Sequence, residues 1–511
     1  MENIKNIIVV GGGTAGLVSA LMLKKTFPDI NLSIIYSKNI GIIGVGEGTT
    51  PNWDEFIEYC DIDTTEFFLR TDATFKFGIE FLNWDGNNKS YLHSAVWMNR
   101  WFGYNTFYDV HNNYPYMFAH MIADNKSTYE TTHPFISTDL IPKDKLLTGP
   151  IHFNTYKTND YLKELCDRRS IKLIETDIVS VATTDNGISS ITDVNNVTYN
   201  ADFFIDCSGF ARLLSKNLDS KWIDYKKYLP MNHAIAFPTE QKDYISNITK
   251  STALSSGWCW QIPTYGRNGN GYVFDDSYIT VDEAKKEIEN LYGHEIEIGK
   301  DIKFSAGKID KFWNKNCVSI GLAGSFVEPL EASSIGFTIK QMFYLIGNIV
   351  YWRNNSKFIE NNFNTIFDKS FDNIVDYIQL HYFTKRKDTP FWKELEFITT
   401  DFNKDTIEIF KTNLPRSTLF DSNNFLFLAH DWIQVMHGLD MFDKEKIGNE
   451  LLSFNFNYNK LNEIRLNHLN NDKNLPKITH KQYLDELHIT KGENIKILYQ
   501  KSLDEWDKIN Q

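Results

Sequence analysis

The chain has 511 residues, 42% of them hydrophobic, and 53 Lys and Arg against 66 Asp and Glu leave a formal net charge of −13. The length fits about three domains with a sizeable core, while the acidic balance excludes a phosphate-backbone binder, whose affinity rests on clustered positive charge. No apolar run nears the ~18 residues of a membrane helix, Met1-Glu2-Asn3-Ile4-Lys5 has no signal-peptide pattern, and the five cysteines are scattered without a CxxC pair, so a cytoplasmic protein with no disulfide framework or metal site is expected.

Ile7 to Val10 reads as a short apolar strand, followed at once by Gly11-Gly12-Gly13-Thr14-Ala15-Gly16 and by Leu17, Ala20 and Leu21 at helical spacing. Strand, GxGxxG and helix in that order is the context a dinucleotide fingerprint requires. Gly11 permits the tight turn, Gly13 lets backbone approach a pyrophosphate, and Gly16 allows close helix–strand packing. The helix start offers free N–H groups to phosphate oxygens. A second strand, Leu32 to Tyr36, ends where a ribose-binding Asp or Glu belongs, but Tyr36-Ser37 stands there. Ribose recognition then falls to Ser37 or to backbone groups, which speaks against NAD more than against FAD.

Gly44-Val45-Gly46-Glu47-Gly48-Thr49-Thr50-Pro51 follows, then Phe75-Lys76-Phe77-Gly78, whose flanking rings favour a partly buried amine. Tyr91-Leu92-His93-Ser94 precedes Trp97 and Trp101, whose planes either sandwich an aromatic ligand or pack in the core. Phe203 to Gly209 and Cys317 to Gly324 are apolar strands running into small-residue turns. With the first strand they suggest a flavin module dispersed along the chain. Between them, Gly257-Trp258-Cys259-Trp260-Gln261-Ile262-Pro263 forms a WxWxIP sequence, both Trp on one face of a strand that Pro263 ends at a sheet edge.

Phe326-Val327-Glu328-Pro329-Leu330-Glu331 leads through Ala332 to Ser333 and Ser334. Ile335, Ile339, Met342, Phe343, Ile346 and Val350 then mark one face of a long helix. Its first turn suits an anion, or simply a serine cap. From about Phe358 helical periodicity dominates. Ile374, Tyr377, Ile378 and His381 share a face, with His381 read as a hydrogen-bonded packing residue, and Asn423 to Gly438 contains another aromatic helix, with Trp432 and Met436. The tail from Lys460 to Gln511 is charged and shows no chemistry of its own.

The WxWxIP sequence, the Lys76 and Glu331 segments, the Gly44 to Pro51 run, His381-Tyr382 and Arg386-Lys387-Asp388-Thr389-Pro390-Phe391-Trp392 occur in matching order and together resemble the flavin-dependent tryptophan halogenase family. The resemblance covers roughly residues 5 to 440. It implies an α/β fold: a flavin-monooxygenase-like FAD-binding module over 1–350, with inserted substrate-site segments, and a mainly helical lobe over 351–511 covering the substrate site. It further implies FAD used as FADH2, supplied by a separate NAD(P)H-dependent flavin reductase. Its C4a-hydroperoxide, formed with O2, oxidises a halide ion, and the hypohalous acid is relayed to Lys76 for electrophilic halogenation of a small aromatic substrate.

By the same resemblance Glu331 is the second catalytic residue, orienting the oxidant or accepting the ring proton, and the backbone N–H groups of Ser333 and Ser334 hold the halide. Cofactor contacts fall to Gly11, Gly13, Thr14, Ala15, Gly16, Ser37, Gly46, Glu47, Ile178, Leu322 and Ile335; Trp258, Trp260, Ile262 and Pro263 carry the family motif. His93, Trp97 and Trp101 are candidate substrate residues. Many relatives carry Ser-Thr-Gly or Ser-Thr-Ser where this chain has Ala332-Ser333-Ser334, so an indole, a pyrrole and a phenol stay open as substrates, as do the halide and a homo-oligomeric assembly. Two other readings remain: an NAD(P)H-dependent monooxygenase that hydroxylates an aromatic substrate, and a non-enzymatic flavin-binding redox module.

Overall fold

The computed structural model describes residues 4–42, 47–94, 135–137, 149–241, 243–352, 356–421, 423–453 and 477–490. Gly46, Trp97 and Trp101 lie outside the described residues. The fold is mixed α/β, with a parallel sheet at the nucleotide end and a helical C-terminal region.

In Asn6–Val10 every residue after Asn6 is buried, the signature of a parallel strand covered on both faces. It pairs in parallel with Asn31–Tyr36 on one side and Phe203–Asp206 on the other. Cys317–Ser319 lies in parallel beyond Phe203–Asp206, and Lys172–Glu175 beyond Asn31–Tyr36. The three strands separated by hundreds of residues in sequence are thus neighbours in one six-stranded sheet. The chain departs to opposite sides of Asn6–Val10, so a topological switch point opens beside it, where α/β sheets bind ligands.

A second, seven-stranded sheet runs from Lys300–Lys303 through His233–Glu240, Arg267–Phe274, Gly257–Pro263, Thr249–Ala253 and Gly78–Leu82 to Ser90–Ser94. It corrects the expected edge position of the WxWxIP strand, which is interior, paired to Arg267–Phe274 and Thr249–Ala253. Pro263 is tolerated because the pairing with Thr249–Ala253 stops at Gln261, so no ladder bond needs its missing N–H. Trp258, Trp260 and Ile262 face the main core and Cys259 the opposite cluster.

The long helix is Ser333–Trp352, and its buried face is wider than expected. Phe337, Leu345 and Ile349 are buried, whereas Val350 is exposed. The cause is packing on several sides, against the helices Thr14–Thr26, Asn52–Tyr59 and Ser356–His381. The aromatic helix expected within Asn423 to Gly438 is Ala429–Gly438. Side chains of Ser370 and Asn373 bond to the backbone of Asn424 and Phe427, drawing it away from a helical pattern. One contiguous core extends from Ile4 to Leu487. No described helix is long and apolar enough to cross a membrane.

Candidate active site

At the switch point the glycines do different work. Gly11 has φ +125°, and a Cβ there would lie 2.1 Å from the Cys207 carbonyl oxygen; one on Gly16 would lie 2.0 Å from the Gly11 carbonyl oxygen. Both are confined to glycine by close packing. A Cβ on Gly13 would meet nothing within 4 Å, and the Thr14–Thr26 helix that it precedes has no side-chain cap. An open, uncapped helix start beside a glycine turn fits a diphosphate.

Other segments gather round it. Gly321 approaches Ala15 so closely that a Cβ there would lie 2.6 Å from the Ala15 Cβ, which brings the partly exposed Leu322 alongside. Thr14 Oγ1 accepts from Asn159 at 3.3 Å. The Ser37 hydroxyl accepts from the N–H groups of Asn39 and Ile40, capping its own loop. Asn39 in turn donates to Asp177, next to Ile178. Sequence reasoning missed Asp206, whose carboxylate accepts four bonds from Ser208, Leu214 and Ser215 and so shapes the loop across the crevice.

Lys76 joins Thr74–Phe75 to Gly78–Leu82. Its neighbours Phe75 and Phe77 are buried, and the lysine itself is only 4% exposed. Nζ donates to the Thr49 carbonyl at 2.9 Å, and a Cβ on Gly48 would lie 3.1 Å from it. Burial lowers the amine and the Glu331 charge raises it, leaving it at about 8. Glu47, on the same small sheet, has its carboxyl pushed up to about 7 by burial. The Thr74 hydroxyl donates to the Pro263 carbonyl and meets His152 at 3.2 Å, tying the WxWxIP strand to the lysine strand. The tail contributes after all: the Phe75 N–H donates to Nε2 of His480, at the start of the His480–Thr490 helix, at 3.1 Å.

Glu331 ends the short Pro329–Glu331 turn. Ala332 follows at φ +52°, a strained value for a non-glycine residue, and Ser333 and Ser334 open the Ser333–Trp352 helix. A Cβ on Gly336 would lie 2.2 Å from Thr50 Oγ1, so this first helical turn packs on the segment that holds Lys76. Ile335 is buried one residue beyond the serines.

Glu331 is 3% exposed and meets two histidines from distant elements. His93 Nδ1 lies 2.8 Å from Oε2, and His381 Nε2 lies 2.9 Å from Oε1, off the line of a well-directed hydrogen bond. Burial would raise the carboxyl, but the charge of His93 and the contacts of both histidines hold it at about 2. His381 is therefore more than a packing residue: it touches Glu331 and takes the Tyr91 hydroxyl at 2.8 Å on its other nitrogen. Burial lowers its own affinity for a second proton.

His93 is reassigned by the same geometry. Its Nε2 lies 2.9 Å from Asp431 Oδ1, so both ring nitrogens are taken by carboxylates and neither is left for a substrate. Trp258 Nε1 donates to Glu328 at 3.1 Å, and the Tyr382 hydroxyl donates to the same oxygen. Sequence reasoning missed Asp431, His152, His480 and Glu328. The legible hint was polar residues on an apolar helix face, as at Tyr377 and His381.

A model of the tryptophan halogenase family matches residues 6–448. Tryptophan 6-halogenase ThaL of Streptomyces albogriseolus is 29% identical over 451 residues, covering 81% of this chain and 83% of its own. Tryptophan 7-halogenase RebH of Lentzea aerocolonigenes is 28% identical over 450 residues, with coverage of 80% and 82%. Among solved structures, a tryptophan halogenase from Shewanella frigidimarina superposes with a TM-score of 0.82 at 24% identity, over 95% of this chain and 98% of that one. BrvH, a flavin-dependent halogenase from Brevundimonas sp. BAL3, gives 0.76 at 24% identity, over 95% and 100%. These two share the fold.

Proposed function

The chain belongs to the tryptophan halogenase family and is a flavin-dependent halogenase acting on an aromatic substrate; we propose that it is the halogenating half of a two-component system, with FADH2 delivered by a separate reductase. The open glycine crevice supports a bound flavin dinucleotide, with Gly11, Gly13, Thr14, Ala15 and Gly16 at its diphosphate, the Ser37 loop at a ribose, and Leu322 and Ile335 toward its ring. When bound and reduced, that group supplies, with O2, the oxidant that converts halide to hypohalous acid. Ser333 and Ser334 present first-turn amides and the positive end of a helix dipole to the halide.

The observation that carries the reading is Lys76, a buried amine whose Nζ makes one hydrogen bond among the described residues, to Thr49. Its remaining N–H groups are free to bind the oxygen of hypohalous acid. The ring carbon takes the halogen as the O–X bond breaks, the departing oxygen takes a proton from the Lys76 ammonium and leaves as water, and the ring proton passes to Glu331. An anion that is so weak a base stays unprotonated at working pH, yet still accepts from a strongly acidic arenium ion.

The test is to supply the chain with FAD, an NADH-driven flavin reductase and chloride, bromide or iodide. Indoles, pyrroles and phenols are offered, and products are read by mass spectrometry. A halogenated product that vanishes when the reductase is omitted is expected. A hydroxylated product made from NADH and FAD alone overturns the reading in favour of a monooxygenase.

A further inference from the structure

Glu331, His93 and Asp431 form a buried row in which one imidazole separates two carboxylates. The three side chains come from the Pro329–Glu331 turn, the Ser90–Ser94 strand and the Ala429–Gly438 helix. Asp431 is anchored at both oxygens: Oδ2 accepts the Leu428 N–H at 2.6 Å, and Oδ1 meets His93 at 2.9 Å and His430 Nε2 at 3.2 Å. Ionised carboxylate oxygens only accept hydrogen bonds. Such an oxygen lies 2.8–2.9 Å from each ring nitrogen of His93, an arrangement that calls for a proton on both.

We propose that His93 and Asp431 are positioning residues for Glu331: Asp431 holds His93 as an imidazolium, and that cation keeps the Glu331 carboxylate ionised and anchored by Oε2, leaving Oε1 to take the proton released by the substrate. Oε1 is buried and, among the described residues, has no well-directed hydrogen bond, His381 Nε2 lying 2.9 Å away but off line. Burial lowers His93, but the Glu331 charge and the bonds to both carboxylates raise it to about 10. The other groups facing the row do not replace this cation. Lys76 feels the Glu331 charge from between its two strands, burial lowers the proton affinity of His381, Tyr377 packs edge-on to His93, and His430 Nε2 meets Asp431. Burying a charge without a paired partner is costly, so the row stands or falls as a unit.

Asp431→Asn tests the arrangement because an amide cannot do both of the carboxylate's jobs. If its oxygen keeps the Leu428 N–H, its NH2 faces His93 Nε2, which must then accept and lose its proton. The first measurement is 15N NMR of the full-length chain labelled at its 13 histidines. At pH 8.5 one doubly protonated ring is expected, absent in His93→Gln and lost in Asp431→Asn. Finding no such ring in the unmodified chain overturns the proposal, and this arm does not depend on the variants being active.

The second measurement rests on the halogenase reading. The ratio of kcat for Asp431→Asn to that of the unmodified chain is expected to fall about tenfold between pH 8 and pH 6, with KM unchanged, as Glu331 without its cation becomes protonated. A ratio independent of pH marks a merely structural role and overturns the proposal. If no aromatic substrate is halogenated at all, the function reading fails while the NMR result still decides on the row.

Discussion

Glu328 and Glu331 stand at the two ends of one short turn, 1% and 3% exposed. Glu328 is pushed up to about 7 by burial, because Tyr382 and Trp258 offer it only neutral donors. Burial acts on Glu331 in the same direction, yet the charge of His93 and the contacts with His381 and His93 hold it at about 2. Burial that acts in one direction on both thus leaves one carboxyl titrating near neutrality and the other ionised, decided by what the facing elements bring. Glu328 braces the WxWxIP strand as an acid near neutrality, whereas Glu331 faces Lys76 as a permanent anion. One turn of chain carries a structural carboxyl and a chemical one.

The largest effect is expected from removing the amine that Glu331 faces. Lys76→Met keeps a buried side chain of similar length and should lower halogenation by at least about 10³-fold, since donor and anchor for the oxidant go together. Hypohalous acid should still be released, measurable by trapping with an added β-diketone. Glu331→Gln should cost about 10²-fold in kcat and also move the amine. The Glu331 charge raises Lys76, so without it the ammonium form is lost at a lower pH, and the alkaline fall in the rate should shift from about pH 8 toward neutrality. A pH–rate profile checks both effects, and an unshifted alkaline limb refutes the coupling of the two residues.

These side chains differ in how far the sequence alone reveals them. The nucleotide crevice is legible because its signal is local: strand, glycine turn and helix are adjacent, and Gly16 is a glycine for a steric reason seen within six residues, although the contact that confines Gly11 comes from distant Cys207. Burial of Lys76 follows equally locally from Phe75 and Phe77. The Glu331 row is not local. His93 and Glu331 are separated by 238 positions, and His93 and Asp431 by 338, so no spacing rule connects them. The interior position of Trp258–Pro263 was hidden for the same reason, since a strand's rank in a sheet depends on which distant strands pair with it. His480 lay in a charged tail that shows no chemistry in the sequence, because only the folded chain brings it to Phe75.

The smallest effect on activity is expected at Glu328. Glu328→Gln keeps an oxygen to accept from Trp258 and Tyr382 and places an NH2 where Oε2 has no hydrogen-bond partner among the described residues, so kcat should stay within about twofold of the unmodified chain. Stability should separate the two carboxylates more clearly. A carboxyl raised from 4.5 to about 7 binds its proton more tightly in the folded than in the unfolded state. Its contribution is therefore full below about pH 4.5 and is lost as pH rises toward 7, by on the order of 3 kcal/mol at most. Glutamine cannot ionise, so the variant should match the unmodified chain at pH 5 and melt at a higher temperature at pH 8. Glu331 has the opposite sign: its lowered value stabilises above about pH 4.5 and is lost only as pH falls toward 2. Glu331→Gln should therefore lower the melting temperature at pH 8, and a gain there would show that burial, and not His93, governs both ends of the turn.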